Sequence, residues 1–407
     1  MKQTTMDLLE KYNQTHLLKF YEQLSPEKQD AMETQLEKLD WGVFDCFGND
    51  NTPDGKGKIE PIGALSIADI EKKKADYVKT GLEAIKAGKV GALLLAGGMG
   101  TRLGCDGPKG SFNIGVTKEL YIFEQLFKNT MDVVKQADAW IPFFIMTSDK
   151  NHEQTTSFLK EHDYFGYNPD YVFFFTQDMA PCMDYDKKLL MESPEKLASS
   201  PNGNGGWFTS FANAGLLKKA KEMGVEWLNC FAVDNVLQRI ADPCFVGAVI
   251  DENCVSGSKV VRKADPEERV GVLCLEDGKP SIVEYYEMTH EMNYAQNEKG
   301  EYLYCFGVIL NYLFRMDKLE EIVAKRMPTH VVEKKIPYVD PDGTAHAPEK
   351  PNGYKFETLI LDMVHMMDNC LAYEVEREHE FAPVKNKEGV DSIETARALL
   401  QKNGVEL

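Results

Sequence analysis

Four short runs of nearly unbroken apolar residues limit what this chain can become: VGALLLA from Val90, WIPFFIMTS from Trp140, YVFFFTQ from Tyr171 and WLNCFAVD from Trp227. Each has the length of a strand, and a strand that is apolar at every position needs cover on both faces. The stretches between them supply that cover. ELYIFEQLFKNTMDVVKQA, NHEQTTSFLKEH and GWFTSFANAGLLKKAKEMG read as helices, the first with apolar residues three and four apart. Strand alternating with helix predicts an α/β fold built on a parallel sheet. Ligands of such sheets sit beyond the carboxyl ends of the strands. The most unusual residues of this chain fall there: a glycine-dense loop after the first run, Gln177 after the third, and Asp234-Asn235 after the fourth.

The surrounding pattern divides the chain into three consecutive blocks. Residues 1–88 read as a helical N-terminal region. MDLLEKYNQTHLLKFYEQL is followed by Ser25-Pro26-Glu27, a cap residue before a proline at the first helical position. GNDNTPDGKGK, from Gly48 to Lys58, reads as a polar loop, and LSIADIEKKKADYVKTGLEAIKAG as a further helix. Residues 89–314 are the expected core, a Rossmann-like mixed, mostly parallel sheet flanked by helices. Residues 315–407 read as a small C-terminal α/β segment containing the proline- and glycine-rich KKIPYVDPDGTAHAPEKPNG. There is no internal repeat and no low-complexity tract.

Composition removes several function classes. The chain has 46 basic and 65 acidic residues, a formal net charge of -19, which argues against a nucleic-acid or anionic-membrane surface. The nine cysteines form no C-x-x-C, so reduced and mostly buried thiols are expected rather than a disulfide framework. The eight histidines show no H-E-x-x-H spacing, which speaks against a protein-ligated zinc. MKQTTMDLLEKYNQ has no apolar signal core, and no run has the length of a membrane span. A cytoplasmic protein, monomeric or weakly homodimeric, is the expectation.

Within this acidic chain, VGALLLAGGMGTRLGCDGPKGSFNIG combines bare backbone with Arg102 and Lys109. No Walker A loop fits, because Lys109 follows Pro108 and precedes Gly110. The dinucleotide fingerprint fails too: Gly98-Met99-Gly100 begins it, but residue 103 is leucine. That counts against a nicotinamide-dependent dehydrogenase. The glycines could serve only a tight strand-to-helix turn. The alternative is a phosphate cradle in which amides face oxygens and the two cations supply charge.

LLLAGGMGTRLG followed by GPKGSFNIG resembles the signature of the eukaryotic-type UDP-sugar pyrophosphorylases, which are uridylyltransferases with a nucleotidyltransferase-type fold. The likeness continues through FFFTQDMAPCMDYDKKLLMES, SPNGNGGWFTSF, FAVDNVLQRIADPCFVG and VGVLCLEDGKPSIVEYYE. EKKIPYVDPDG and LAYEVEREHEFAPVKN are most similar to the UDP-N-acetylglucosamine pyrophosphorylase branch, whose members often carry a further C-terminal domain; the resemblance implies that this domain would be missing or reduced here. The resemblance implies UTP and a sugar-1-phosphate as substrates, and a UDP-sugar and pyrophosphate as products. Such a transfer needs no general base, since the attacking phosphate is already ionised at neutral pH. The absence of any Ser-His-Asp or Cys-His arrangement agrees with that.

By the same resemblance, the backbone of Ala96, Gly97 and Gly98 would lie against the uridine and the Gln177 amide would pair with the uracil edge. Gly203 would let the base approach. Arg102 and Lys109 would hold the triphosphate, and Lys385 the sugar phosphate, carried to the site by a C-terminal lid. Asn204, Gly271 and Glu284 would contact the sugar. Asp234 would bind a Mg²⁺ that bridges phosphates; a structural ion pair or a helix cap is the alternative for this carboxylate. Three features depart from the branch: asparagine at Asn202 where aspartate is usual, leucines at Leu359 and Leu361 where aromatics are usual, and Val308 where an asparagine usually faces the sugar. Glucose-1-phosphate or galactose-1-phosphate is therefore an alternative acceptor. A nucleotide-sugar binding protein without turnover is a second class, which the retained Arg102, Lys109, Asp234 and Lys385 oppose.

Overall fold

A computed structural model describes residues 1–47 and 57–407, so most of the expected polar loop at Gly48–Lys58 lies outside the described residues. The chain packs as two compact units that interleave along the sequence. One comprises residues 1–47, 178–206 and 327–360, the other residues 57–177, 207–326 and 361–407. This division differs from three consecutive blocks, and strand pairing accounts for the difference.

The first unit begins with the expected helices, Gln3–Lys11 and Pro26–Lys38. Pro26 occupies the first turn of the second, where its missing N–H costs nothing. Their apolar faces, with Leu9, Met32 and Leu36 fully buried, join Met183, Met191 and Phe356 in one core. Phe356 lies in Gly353–Glu357, which pairs antiparallel with both His330–Lys334 and Met183–Asp184. Strands of two to five residues, HVVEK, GYKFE and MD, carry almost no periodic signal, and sequence reasoning did not anticipate this small sheet.

The second unit holds the four apolar runs as strands of a large sheet. In chain order its path consists of β1 (Ala64–Leu65), β2 (Val90–Leu95), β3 (Phe143–Thr147), β4 (Val172–Thr176), β5 (Trp227–Ala232), β6 (Ser256–Arg262), β7 (Phe306–Arg315) and β8 (Leu371–Glu374). The spatial order is β1-β8-β6-β7-β5-β2-β3-β4. Every neighbouring pair is parallel except the two made by β7, which runs against β5 and β6. The sheet is thus mixed and mostly parallel, as expected. β2 and β3 are buried at every position. A side branch, Val272–Glu276 paired with Lys279–Val283, hangs from β7.

Because β8 pairs with β6, residues 371–374 belong to this sheet and not to a separate C-terminal segment. The helices flank it. Ile67–Lys86 starts at Ser66, whose hydroxyl accepts the Asp69 N–H, and packs on Pro243–Asp251 so closely that a Cβ on Gly81 would fall 1.9 Å from the Pro243 carbonyl oxygen. GWFTSFANAGLLKKAKEMG forms two helices instead of one, because Gly215 sits at φ +77° between Trp207–Asn213 and Leu216–Glu222. No helix among the described residues is long and apolar enough to cross a membrane.

Candidate active site

The glycine loop leaves the carboxyl end of β2 and doubles back on itself. The Gly100 N–H donates to the Gly107 carbonyl at 2.9 Å, and the Lys109 N–H to the Gly98 carbonyl at 3.1 Å. Arg102 lies exposed in the turn Thr101–Leu103, and Lys109 stands on the returning limb. Gly110 seats that limb, since a Cβ there would fall 2.3 Å from the Phe123 ring. At the end of the loop Arg397, on the C-terminal helix Ile393–Lys402, donates to the carbonyls of Ile114 and Gly115 at 2.8 and 2.9 Å.

Two side chains that sequence reasoning missed fix the loop from the β3 side. The Ser148 hydroxyl donates to the Gly97 carbonyl at 2.8 Å. Asn151, fully buried, donates its amide to the carbonyls of Ala96 at 2.9 Å and Gly98 at 3.2 Å. Both follow β3 directly, so the strand-end rule that drew attention to Gln177 and Asp234 applied to them as well.

Gly97 and Gly98 have different reasons to be glycine. A Cβ on Gly97 would sit 2.8 Å from the Gln177 amide nitrogen, so Gly97 lets the Gln177 side chain lie flat on the loop. That brings the two expected uracil-binding elements together. A Cβ on Gly98 would meet nothing within 4 Å, and Gly98 has no left-handed φ to demand glycine. Its bare backbone faces open space, which suits close approach by a ligand.

Lys109 pairs with Asp234. Lys109 Nζ lies 3.6 Å from Asp234 Oδ2, with the two side chains 16% and 22% exposed. Burial lowers the Lys109 ammonium below the ordinary lysine value; Asp234 works in the opposite direction, while Lys385 and Arg102 add to the lowering. Asp234, Lys385 and Arg102 therefore all act on Lys109, and the four lie within a single unit. Lys385 is not carried there by a separate lid. Its segment is bonded to the core: the Val384 N–H donates to the Asp234 carbonyl at 2.8 Å, and Asn235 and Pro383 form a bridge. Lys385 itself pairs with Asp391 at 3.1 Å.

Gly271, Glu284 and Val308 also come together. A Cβ on Gly271 would lie 3.5 Å from Val308 Cγ2 and 3.6 Å from a Glu284 carboxylate oxygen, and the Val308 N–H donates to the Gly271 carbonyl. Gly203 and Asn204 belong to the other unit and have local work there. Gly203 sits at φ +85°, where a Cβ would strike the Thr358 carbonyl oxygen at 2.2 Å, and Asn204 Oδ1 accepts the Ile360 N–H at 3.1 Å. Asn202 accepts both the N–H and the hydroxyl of Thr358 on its backbone carbonyl.

Behind Asp234 lies a buried polar layer that sequence reasoning also missed. Asn229, Asn311, Gln238 and Lys259 are fully buried. Asn229 donates to Asn311 Oδ1 at 2.8 Å and accepts the Ala241 N–H at 2.7 Å; Gln238 donates to the carbonyls of Ala232 and Asn235. Lys259 pairs with Glu380 and with Asp242. Burial pushes the Glu380 carboxyl up, against the pull of Lys259. Lys259 lies in SGSKVVR, a strand buried at six of its seven positions, and its two serines, lysine and arginine gave no sign of that burial in the sequence. No disulfide joins any of the nine cysteines, all among the described residues, and six of them are buried.

Comparison with known proteins gives this arrangement a family. The family described as UTP--glucose-1-phosphate uridylyltransferase matches residues 54–404. UDP-N-acetylglucosamine diphosphorylase 2 of Arabidopsis thaliana is 35% identical over 426 residues, covering 98% of this chain and 83% of the relative. UDP-N-acetylglucosamine pyrophosphorylase of Saccharomyces cerevisiae is 34% identical over 413 residues, covering 97% of this chain and 86% of the relative. Among solved structures, the uridine diphosphate N-acetylglucosamine pyrophosphorylase of Trypanosoma brucei superimposes with a TM-score of 0.84 at 26% identity, covering 97% of this chain and 83% of that one. Strand order, glycine loop and sequence thus agree that the chain belongs to the UTP--glucose-1-phosphate uridylyltransferase family of enzymes.

Proposed function

We propose that this chain transfers the uridylyl group of UTP to N-acetylglucosamine-1-phosphate, forming UDP-N-acetylglucosamine and pyrophosphate. The observation that carries the reading is the Lys109–Asp234 pair at the carboxyl edge of the sheet, with Lys385 and Arg102 near enough to act on the Lys109 charge. A phosphate oxygen of the sugar attacks the α-phosphorus of UTP, the bond to the bridging oxygen breaks, and pyrophosphate leaves with that oxygen. The obstacle is repulsion between two polyanions, and fixed cations lower it. Arg102 and Lys109 hold the triphosphate, and Lys385 holds the incoming phosphate. The backbone of Ala96, Gly97 and Gly98 and the Gln177 amide receive the uridine, with Gly203 beside the base. Asn204, Gly271 and Glu284 receive the sugar.

Asp234 fits a magnesium ion. No group of three metal-ligating side chains occurs among the described residues, and Mg²⁺ is commonly held by one or two carboxylates together with substrate phosphates. Bound there, it would neutralise phosphate charge. A monomer or weak homodimer is the proposed assembly.

Val308 favours a second reading of the acceptor. Its methyl groups occupy the position beside Gly271 and Glu284 where a polar contact to the sugar would stand. The same chemistry would then serve glucose-1-phosphate or galactose-1-phosphate. The test is pyrophosphate release from UTP and Mg²⁺ with N-acetylglucosamine-1-phosphate, N-acetylgalactosamine-1-phosphate, glucose-1-phosphate and galactose-1-phosphate in parallel. Preference for the acetylated pair supports the first reading, and preference for the others supports the second. Silence with all four, in a folded protein that binds UTP, overturns both.

A further inference from the structure

The buried Lys259 touches none of the residues assigned to substrate, yet everything it holds leads to them. β6 and β7 pair out of register around it. Ser258 faces Tyr312 and Val260 faces Val308, so residues 309–311 stand opposite Lys259 alone, and Leu310 adopts φ +52°. Irregularities of this kind re-aim a side chain and cluster near functional sites. Here the side chain runs inward to full burial.

Its ammonium meets three acceptors from two distant stretches of chain: a Glu380 carboxylate oxygen, Asp242 Oδ2 at 3.2 Å and the Arg239 carbonyl at 3.3 Å. Glu380 begins the segment that ends in Lys385. Its backbone carbonyl accepts the Asn235 amide at 2.8 Å, the Ala382 N–H returns to Asn235 Oδ1 at 2.9 Å, and the Val384 N–H reaches the Asp234 carbonyl. Asp242 and Arg239 end the turn that begins at Asp234. One ammonium therefore ties the residues just after Asp234 to those just before Lys385.

We propose that Lys259, acting through Glu380 and Asp242, is a positioning residue for the transfer, setting the separation of Asp234 and Lys385 at the reacting phosphates. This rests on the proposed roles of those two residues. Charge balance alone would not require the cluster, since an apolar set of similar volume is often as stable as a buried ion pair. The geometry supplies a reason to keep it: a charge-assisted tie between two strand ends is directional, and apolar packing is not.

The test uses the full chain and two variants, the double variant Lys259→Met/Glu380→Gln and the single variant Glu380→Gln. The double substitution removes one charge of each sign, leaving Asp242 with Arg239, so the interior is not left with an unpaired lysine or an unpaired Glu380. Wild type is first shown to release pyrophosphate; failure there defeats the proposed function, not this inference. The expected result is a double variant with cooperative melting, a dissociation constant for UTP within about threefold of wild type, and kcat at least tenfold lower. Glu380→Gln, which keeps an acceptor for Lys259, loses kcat by a smaller factor. Two results overturn the proposal: kcat within twofold of wild type in the folded double variant, or equal losses in UTP affinity and kcat, the mark of a generally loosened unit. If the double variant does not fold, Glu380→Gln decides by the same two readouts.

Discussion

The glycine loop and the polar layer behind Asp234 use charge in opposite ways. Around the loop, Lys109 pairs with Asp234 and Lys385 with Asp391, while Arg102 stands exposed in the same loop. In the layer, Lys259 and Arg239 face Asp242 and Glu380, two against two, with Lys259 fully buried. The loop's cations are partly solvated and open to an incoming phosphate. The layer is balanced, and around Lys259 it is dry, as burial of a charge requires. Open cations draw the ligand; balance holds the walls. The two regions should therefore fail differently when a cation is removed.

The largest effect is expected in the layer. Lys259→Met alone leaves Asp242 and Glu380 facing each other in the interior. Breaking a buried pair from one side costs about 3–5 kcal/mol. Urea denaturation reads this as a drop in midpoint at nearly constant m. A loss below about 1 kcal/mol would mean that water reaches Glu380, and the contrast between the regions would dissolve.

In the loop the same kind of truncation should cost turnover instead. Arg102→Ala or Lys109→Ala removes charge stabilisation at the transferring phosphates and lowers kcat by about 10²–10³. For Arg102→Ala, stability should stay within about 0.5 kcal/mol, because that exposed side chain does not support the core. Steady-state kinetics beside a melting curve separates the two costs. Near-normal turnover in either variant defeats the assignment of this loop to the triphosphate.

The contrast also explains what was legible in the sequence. The loop is one continuous stretch, and its glycines, Arg102 and Lys109 announce themselves together. The four core strands were legible because burial on both faces leaves an unbroken apolar run. The layer is assembled from residues 229–242, 259, 311 and 380, and no window of sequence contains it. Each member reads alone as a stray polar residue. The tie between Lys385 and the core was hidden for the same reason: Asn235 and Pro383 are far apart in the chain, and a motif near the C-terminus reads as an appendage until pairing is seen. The small sheet of the first unit escaped because its strands are too short for periodicity to register.

A subtler division lies within the loop. Gly97→Ala drives a Cβ against the Gln177 amide, so it should displace that side chain and cost about 1–3 kcal/mol in strain, felt as stability or as UTP affinity. Gly98→Ala meets nothing in the protein, and its stability should be unchanged. Its whole cost should fall on ligand binding, as a KM for UTP raised about tenfold. Equal destabilisation by the two substitutions would show that Gly98 is held by the fold and does not face a ligand.

The smallest effect concerns protonation of Lys109. Burial lowers its pKa, and Lys385 and Arg102 reinforce burial against Asp234. In the free protein the ammonium is thus lost at a lower pH than in an ordinary lysine. The profile of kcat/KM for UTP should bend downward on the alkaline side, below the range where exposed lysines titrate. Bound triphosphate favours the charged form, so the bend should move to higher pH in kcat at saturating UTP. Lys109→Arg should remove the bend, since a guanidinium keeps its charge. Stability should run the other way. Between the folded and unfolded pKa values the unfolded chain holds more protons, so this residue's contribution to stability rises with pH across that window. Activity falling while stability rises, over one pH interval and through one side chain, is the behaviour expected of a cation whose charge burial disfavours until a ligand arrives. A profile that stays flat through that interval would place Lys109 among the balanced charges, with those of the layer.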